Sequence, residues 1–433
     1  RAADPVILPL HGLGSRQDLP LPFGFVLLGA ALALVVSFAV LAVAWRTPRF
    51  VRPAGLALPG LTRLVDAAAT RAALRVVALA LYAWMALALW FGQDRVTNPV
   101  FGFVYVWLWV GLVPLSLIFG PVWRISNPLR TVARLGLAAR GPLRPPETAF
   151  WKRLGVLPAV FTLLGFAWLE LVQPENNTLP VLRWWALAWF VVVVGGAVVF
   201  GERWVAAADP FAVFAERLAT LSPWQRVGGV IHLVNPLRHA TTASVPRGTA
   251  AVAATLLGIT AYDSFTNTTG WVGWVQTSVL PRELWGTVGL LVMTLLVAGN
   301  FVLASKATAP GWTDRLAVSL IPIVVGYNVA HYLSLLVLEG QRTAILASDP
   351  LGLGWNVFGT AELGVNSGIF DYPQVVALIQ LAAIVTGHLL GVLIAHDRSL
   401  VALDGVRVVR GQLPMLLLMV AYTCAGLVLL FSP

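Results

Sequence analysis

Ten apolar stretches of 17 or more residues run through this chain of 433 residues. Each has about the length that an α-helix needs to cross the hydrocarbon core of a bilayer. Only 11% of the residues are charged, well below the ~25% that is usual in globular proteins. The sequence therefore predicts an all-α fold, a polytopic transmembrane helical bundle of about ten spans. The stretches are 24–45, 76–93, 101–120, 155–173, 184–200, 249–265, 284–304, 316–338, 374–395 and 413–431.

The Lys and Arg residues are divided unevenly between the segments that join these stretches. With the N-terminus outside, 23 of the 29 basic residues face the cytoplasm. The six others are Arg1, Arg16, Arg95, Arg183, Arg282 and Arg342. Because basic loops are retained on the cytoplasmic side, we expect a multi-pass protein of the bacterial plasma (inner) membrane with both termini outside. The net charge of +10 then reflects orientation and attraction to an anionic lipid bilayer, and no nucleic-acid partner is expected.

No linker rich in Pro, Gly or Ser divides the chain, which predicts one integral membrane domain over 1–433. An outer N-terminal segment at 1–23 and an outer loop at 339–373 complete it. The pattern Phe-Gly-x-x-Trp, followed by Asn-Pro or Asp-Pro, occurs at 119–128 and again at 200–210. Asn or Asp before Pro is a helix N-cap, so each copy predicts a short amphipathic helix at the inner membrane interface. The pair is either a duplicated gate or two interface-anchored elbows.

Polar side chains inside the predicted spans are costly and therefore informative. Tyr327, Asn328 and His331 fall on one face of the eighth span, and the ninth span carries His388. They could be bonded within a helix–helix interface, line a polar pathway or pocket, or bind haem as a bis-His pair. The two histidines differ in predicted depth by one to two turns, so haem is unlikely and His388 is a weak candidate for cofactor binding. Gly387-xxx-Gly391 predicts close packing of the ninth span.

Ionisable groups at the predicted outer helix ends form the other candidate site. The candidates are His11, Glu170, Asp263, His331, Glu339 and Arg342. Carboxylates beside an imidazole suit general acid–base catalysis or a divalent metal that activates water. His331, Glu339 and His11 are the weak candidates for metal ligands at the outer face, and the same groups would serve as a cation-entry vestibule. We expect at least two of Glu170, Asp263, Glu339 and Arg342 within about 8 Å of His331 in a pocket reached from outside.

Seven stretches also carry a family resemblance. They are His11 to Pro20, Phe103 to Leu112, Phe119 to Arg130, Trp168 to Val172, Ala330 to Arg342, Ser348 to Gly352 and Gly387 to Arg398. Together they resemble an actinobacterial family of polytopic membrane proteins, some members of which are labelled fenitrothion hydrolase. The resemblance implies a membrane-bound hydrolase of organophosphate triesters, and it supplies no catalytic residues.

Three functions follow as hypotheses. The first is a membrane-embedded hydrolase with an outward-facing polar or metal site. The second is a transporter of a small solute or metal ion, with His331 and His388 along its path. Transporters are often built from inverted repeats, whereas both copies of the repeat found here follow outer-to-inner spans. The third is a non-catalytic subunit or assembly factor that binds other membrane-protein subunits.

Overall fold

The structure is a computed structural model that describes residues 16–51, 55–143, 146–403 and 407–431. It is almost entirely helical. The first helices are α1 Phe23–Ala44, α2 Pro59–Asp66, α3 Ala68–Phe91, α4 Pro99–Gly102, α5 Leu112–Phe119, α6 Trp123–Ser126 and α7 Pro128–Arg140. There follow α8 Thr148–Leu154, α9 Pro158–Leu171, α10 Leu179–Phe190, α11 Gly196–Phe200, α12 Arg203–Ala208, α13 Pro210–Leu218 and α14 Pro236–Thr242. The last are α15 Thr249–Thr266, α16 Thr269–Thr277, α17 Arg282–Thr308, α18 Thr313–Leu316, α19 Leu320–Leu346, α20 Pro373–Ala402 and α21 Arg407–Leu430.

Seven helices in the described part of the chain are long and apolar enough to cross a membrane. They are α1, α3, the continuous α10–α11, α17, α18–α19, α20 and α21. The pairs α4–α5 and α8–α9 pass the same test as single spans but are bent by 42° and 44°. The seven single helices and the two bent pairs together coincide with nine of the ten predicted stretches. The remaining stretch forms α15, which is mostly buried against α9, α17 and α19, so the count of ten stays a prediction.

Proline and glycine account for the two bends. Pro114 lies in the first turn of α5, where it has no N–H to donate and its ring crowds the carbonyl of residue 110. The preceding segment, Phe103–Val110, is a π-helix. At its end the backbone N–H of Gly111 donates to the carbonyl of Val106, five residues back, at 2.8 Å. Gly155 ends α8 with φ at +56°, a conformation that favours glycine.

Glycines bring α19 and α20 into backbone contact. A Cβ on Gly387 would lie 2.6 Å from the carbonyl oxygen of Pro322, and one on Gly391 would lie 2.8 Å from that of Ser319. Both distances are shorter than a carbon–oxygen contact permits, so only glycine fits at these positions. Gly326 makes the same approach from α19, against the carbonyl of Ala383. The close packing predicted for Gly387-xxx-Gly391 is confirmed.

A small antiparallel sheet is the one departure from an all-helical chain in the described ranges. Its strands are β1 Gly55–Ala57, β2 Trp224–Val227 and β3 Val230–Val234, in the order β1-β3-β2. Gly228 and Gly229, both at positive φ, form the two-residue turn between β2 and β3. The prediction of an all-α fold missed this sheet, because its strands are far shorter than the apolar stretches around them.

One end of the bundle holds both described chain ends and the long loop that precedes α20. Arg16 Nε donates to the carbonyl of Phe431 at 2.8 Å. Leu19, Ala377 at the start of α20 and Leu430 at the end of α21 pack in one apolar cluster. The loop joins this end through Ala347, whose carbonyl accepts from Trp84 Nε1 at 2.8 Å. We call this the terminal end; it is the end that the distribution of basic residues predicts to face outward.

The two copies of the repeated pattern contact each other through their N-caps. Asn127 Oδ1 accepts from the backbone N–H of Arg130, and Asp209 Oδ1 accepts from that of Phe211. The same two side chains meet where Asn127 Nδ2 donates to Asp209 Oδ2 at 2.6 Å. Both predicted helices, α7 and α13, therefore form, and their starting points are held together.

The position of α13 differs from its prediction. Eight of its nine residues are buried, against α5, α6 and α9 among others. We had expected it to lie along the inner membrane surface. Its first six residues, Pro-Phe-Ala-Val-Phe-Ala, are all apolar, and an apolar stretch of that kind is stable only inside the protein.

Gly387→Ala is expected to lower the free energy of unfolding by about 1–3 kcal/mol, because the added methyl group forces two backbones apart. Thermal unfolding of the detergent-solubilised protein, followed by circular dichroism, measures the change. Gly299→Ala is the matched control, since Gly299 lies in α17 with open space at its Cβ position. That substitution should be neutral or stabilising by ~1 kcal/mol. Equal losses in the two variants would contradict the backbone contact.

The stability of the protein should depend on the titration of Asp209, which lies outside the candidate spans. Burial raises the pKa of Asp209 to about 6, in spite of hydrogen bonds from Asn127, Phe211 and Trp189 that lower it. The folded protein thus binds this proton more tightly than the unfolded chain, in which the pKa is 3.8. The contribution of Asp209 to stability is fully present below pH 4 and is lost as the pH rises through 6.

We expect the wild type to lose up to about 3 kcal/mol of stability between pH 4 and pH 7 relative to Asp209→Asn, which does not titrate there. Denaturant unfolding at several pH values measures both proteins. The same pH profile for the two would show that Asp209 does not titrate in this range.

Candidate functional site

Helices α15 and α19 bring four polar side chains together inside the bundle. Asp263 and Ser264 are neighbours near the end of α15, while Tyr327 and His331 lie one turn apart on α19. All four are buried, with 3 to 6% of each residue exposed. Residues four apart share a helix face, so one face of α19 presents both rings to the end of α15. We call these four residues the polar chain.

Asp263 receives two side-chain hydrogen bonds at a single carboxylate oxygen. His331 Nε2 lies 2.9 Å from Oδ2, and Tyr332 donates its hydroxyl proton to the same oxygen at 2.7 Å. The His331 and Tyr332 rings meet edge to face with centroids 4.6 Å apart. A carboxylate only accepts, so Nε2 of His331 carries a proton and the pair fixes the ring in place.

The other side of the His331 ring continues the polar chain. Nδ1 lies 3.2 Å from Ser264 Oγ, and Ser264 Oγ lies 2.7 Å from the hydroxyl of Tyr327. In the neutral imidazole the second nitrogen is an acceptor, so Ser264 donates to it and Tyr327 donates to Ser264. Every donor then points the same way, from Tyr327 through Ser264 and His331 to Asp263.

Glu170 is the second carboxyl group near this chain. It lies one residue before the end of α9, close enough to Asp263 for the two carboxyl groups to interact electrostatically. Its Oε2 is buried and has no hydrogen-bond partner in the described part of the chain. A buried polar atom without a partner costs free energy. Glu170 is therefore a second buried carboxyl group whose oxygen is left unpaired among the described residues.

The remaining candidates do not join His331. Glu339 and Arg342 pair with each other at 3.1 Å, and Glu339 is eight residues beyond His331, about 12 Å along the helix axis. His11 lies outside the described residues. Of the four groups expected around His331, Asp263 is in direct contact, and Glu170 interacts with Asp263. His331 itself is only 3% exposed, so the expected pocket reached from outside is not what surrounds it.

The described residues assemble neither of the predicted metal arrangements. In the described ranges of the chain, no three His, Cys, Asp or Glu side chains converge as metal ligands would. Both ring nitrogens of His331 are engaged by Ser264 and Asp263. His388 bonds through Nδ1 to the carbonyl of Ile384, on its own helix, at 2.9 Å. The geometry therefore gives no support to a bis-His pair.

A cavity of about 240 Å³ lies beside the polar chain, between α15, α17, α19, α20 and α21. Tyr327 and His388 both line it, together with Thr260, Asn300 and Tyr422. The rest of the lining is apolar or glycine: Leu257, Ala261, Met293, Leu296, Val297, Ile323, Ala425, Gly426 and Leu429. We call it the central cavity. The polar chain thus has Asp263 at one end and the central cavity at the other.

Sequence reasoning missed two members of this site. Ser264 and Tyr332 each adjoin a residue that was singled out. Helix α15 runs to Thr266, and the Thr266 and Asn267 side chains donate to the carbonyl of Asp263. A serine beside an aspartate within the last apolar turn was the available signal.

Comparison with known proteins adds no relative. No protein-family model, curated protein or solved structure matches the chain significantly. The family resemblance stays an expectation, and functional inference rests on the residues themselves.

His331→Ala should lower the free energy of unfolding by about 3–5 kcal/mol, because it leaves Asp263 buried without its imidazole partner. Thermal unfolding in detergent measures this loss. His232→Ala is the control: His232 is half-buried on β3, and its Nδ1 bonds only to a carbonyl of its own strand. A His331→Ala protein as stable as the control would show that the pair contributes nothing to the fold.

Proposed function

We propose that this chain is an integral membrane transport protein in which protons move between Asp263 and the central cavity along the polar chain. The observation that carries the proposal is the unbroken series of contacts at 2.7, 3.2 and 2.9 Å from Tyr327 to Asp263. Networks of this kind inside transmembrane bundles are typical of proton relays. The distribution of basic residues supports the accompanying topology, with both termini and Asp263 towards the outside.

The relay requires only the protons that these side chains already carry. Tyr327 passes its hydroxyl proton to Ser264, Ser264 passes its own to Nδ1 of His331, and Nε2 releases one to Asp263. His331 is left neutral with its proton on the other nitrogen. Tyr327 is left one proton short and recovers that proton from water that enters the central cavity. Asp263 is left protonated and can pass its proton to Glu170.

Proton uptake by proteoliposomes tests the proposal. A pH-sensitive dye inside the vesicles reports flux driven by a potassium diffusion potential. We expect Asp263→Asn and Tyr327→Phe to slow the wild-type rate at least tenfold, since each removes a link of the series. Tyr422→Phe is the matched control, because Tyr422 lines the same cavity but donates only to the carbonyl of Val297. No flux above that of empty liposomes, or equal rates for Tyr327→Phe and Tyr422→Phe, would contradict the proposal.

The hydrolase hypothesis has one observation in its favour, which is that Ser264, His331 and Asp263 contact one another in the order of a Ser-His-Asp triad. Ser264 is only 3% exposed, however, and its oxygen is shared with Tyr327. Its position inside a helix leaves no free backbone N–H to stabilise an oxyanion. Cleavage of a chromogenic organophosphate triester by the wild type, absent in Ser264→Ala, would favour hydrolysis over transport.

A further inference from the structure

His388, which lines the central cavity, has a ring nitrogen that lacks a hydrogen-bond donor among the described residues. Its Nδ1 lies 2.9 Å from the carbonyl oxygen of Ile384. A carbonyl only accepts, so Nδ1 carries the proton and Nε2 has a lone pair. Nε2 is buried and has no hydrogen-bond partner in the described part of the chain, and His388 is 1% exposed. A buried acceptor left unpaired is costly, which points to a donor that the described residues do not provide.

The hydroxyl groups that line the cavity already donate their protons to other groups of the protein. Thr260 donates to the carbonyl of Leu256, and Tyr422 donates to that of Val297. The Tyr327 hydroxyl is bonded to Ser264. Their oxygens still have lone pairs, so hydroxyl groups add acceptors rather than donors. Only the Asn300 amide adds a donor.

The charge of the lining and the volume of the cavity restrict which molecules can bind. No Lys, Arg, Asp or Glu lines the central cavity, and a charged molecule would lose its hydration there without a counter-ion. The volume of about 240 Å³ is below the ~300–1,000 Å³ of pockets that hold drug-sized ligands. An occupant is therefore small and neutral.

The central cavity also reaches the exposed surface of the bundle. Leu296 and Asn300 on α17 and Ala425 on α21 all line it, and all three are exposed. Asn300 lies within a span, where an amide facing hydrocarbon is costly. At this position its amide can form hydrogen bonds with a molecule that enters the cavity. A molecule that partitions into the bilayer can enter between α17 and α21 without crossing water.

We propose that the central cavity binds a small, neutral, largely apolar molecule that carries one hydroxyl group, an alcohol or a phenol, with that hydroxyl donating to His388 Nε2. The assignment rests on the cavity alone and stands whether or not the polar chain moves protons. It goes beyond the proposed function by giving the bundle a ligand class.

Three fluorinated probes of one ring size test the ligand class. 4-Fluorophenol has the donor, 4-fluoroanisole has a methyl group in its place, and 4-fluorobenzoate is charged. Fluorine NMR of each probe with the full chain in lipid nanodiscs, corrected by empty nanodiscs, measures binding. We expect the phenol to bind about five- to tenfold more tightly than the anisole, the effect of one net hydrogen bond. The benzoate should not bind.

Two variants and a control locate the site. His388→Phe keeps a ring and should abolish the preference for the phenol, while Tyr422→Phe should retain it. Ala425→Phe narrows the opening and should weaken both neutral probes. Gel filtration confirms that each variant is folded. Equal binding of phenol and anisole by the wild type, no binding beyond empty nanodiscs, or a preference that survives His388→Phe would overturn the proposal.

The proton-flux measurement uses no ligand, and the NMR measurement uses no gradient. Flux that fails while the phenol still binds would overturn the relay alone. Flux that persists without phenol binding would overturn the ligand assignment alone.

Discussion

The backbone contact between α19 and α20 is the feature on which the rest of the site depends. Gly326 and Gly387 meet there because neither helix has a side chain in the way. The residues that follow them, Tyr327 and His388, are thereby placed at nearly the same depth on two touching helices. Both line the central cavity, which α15, α17 and α21 enclose. A methyl group at either glycine would separate the pair, so the polar chain and the cavity share one packing requirement.

Hydropathy predicted much of the fold because burying an unpaired backbone or side-chain group in hydrocarbon is so unfavourable. Nine of the ten apolar stretches form helices long enough to span, singly or as bent pairs. The same argument required that His331 face a polar partner. The identity of that partner was harder to predict. Asp263 was one of four candidates, and Ser264 and Tyr332 were not among the predicted site residues. These contacts join residues more than 60 positions apart, and periodicity within one helix carries no information on them.

Two expectations failed, each for its own physical reason. Glu339 and Arg342, three residues apart, satisfy each other on the surface of α19, so neither needs to turn towards His331. Helix α13 was expected at the membrane surface because its N-cap repeats that of α7. The caps do match, but the first six residues of α13 are all apolar, whereas α7 carries Arg134, which pairs with Glu202 at 2.6 Å. Local capping chemistry fixes where a helix starts, while the distribution of apolar residues around it decides how deeply it lies.

Tyr327 belongs to both the polar chain and the central cavity, and this shared residue couples them. Its hydroxyl bonds to Ser264 in the polar chain, and the same residue lines the cavity beside His388. An occupant that shifts the Tyr327 ring would therefore also change the contact with Ser264. If the polar chain moves protons and the cavity binds a ligand, as proposed, the protonation of Asp263 and the occupancy of the cavity are linked equilibria, and linkage requires each to change the other by the same factor.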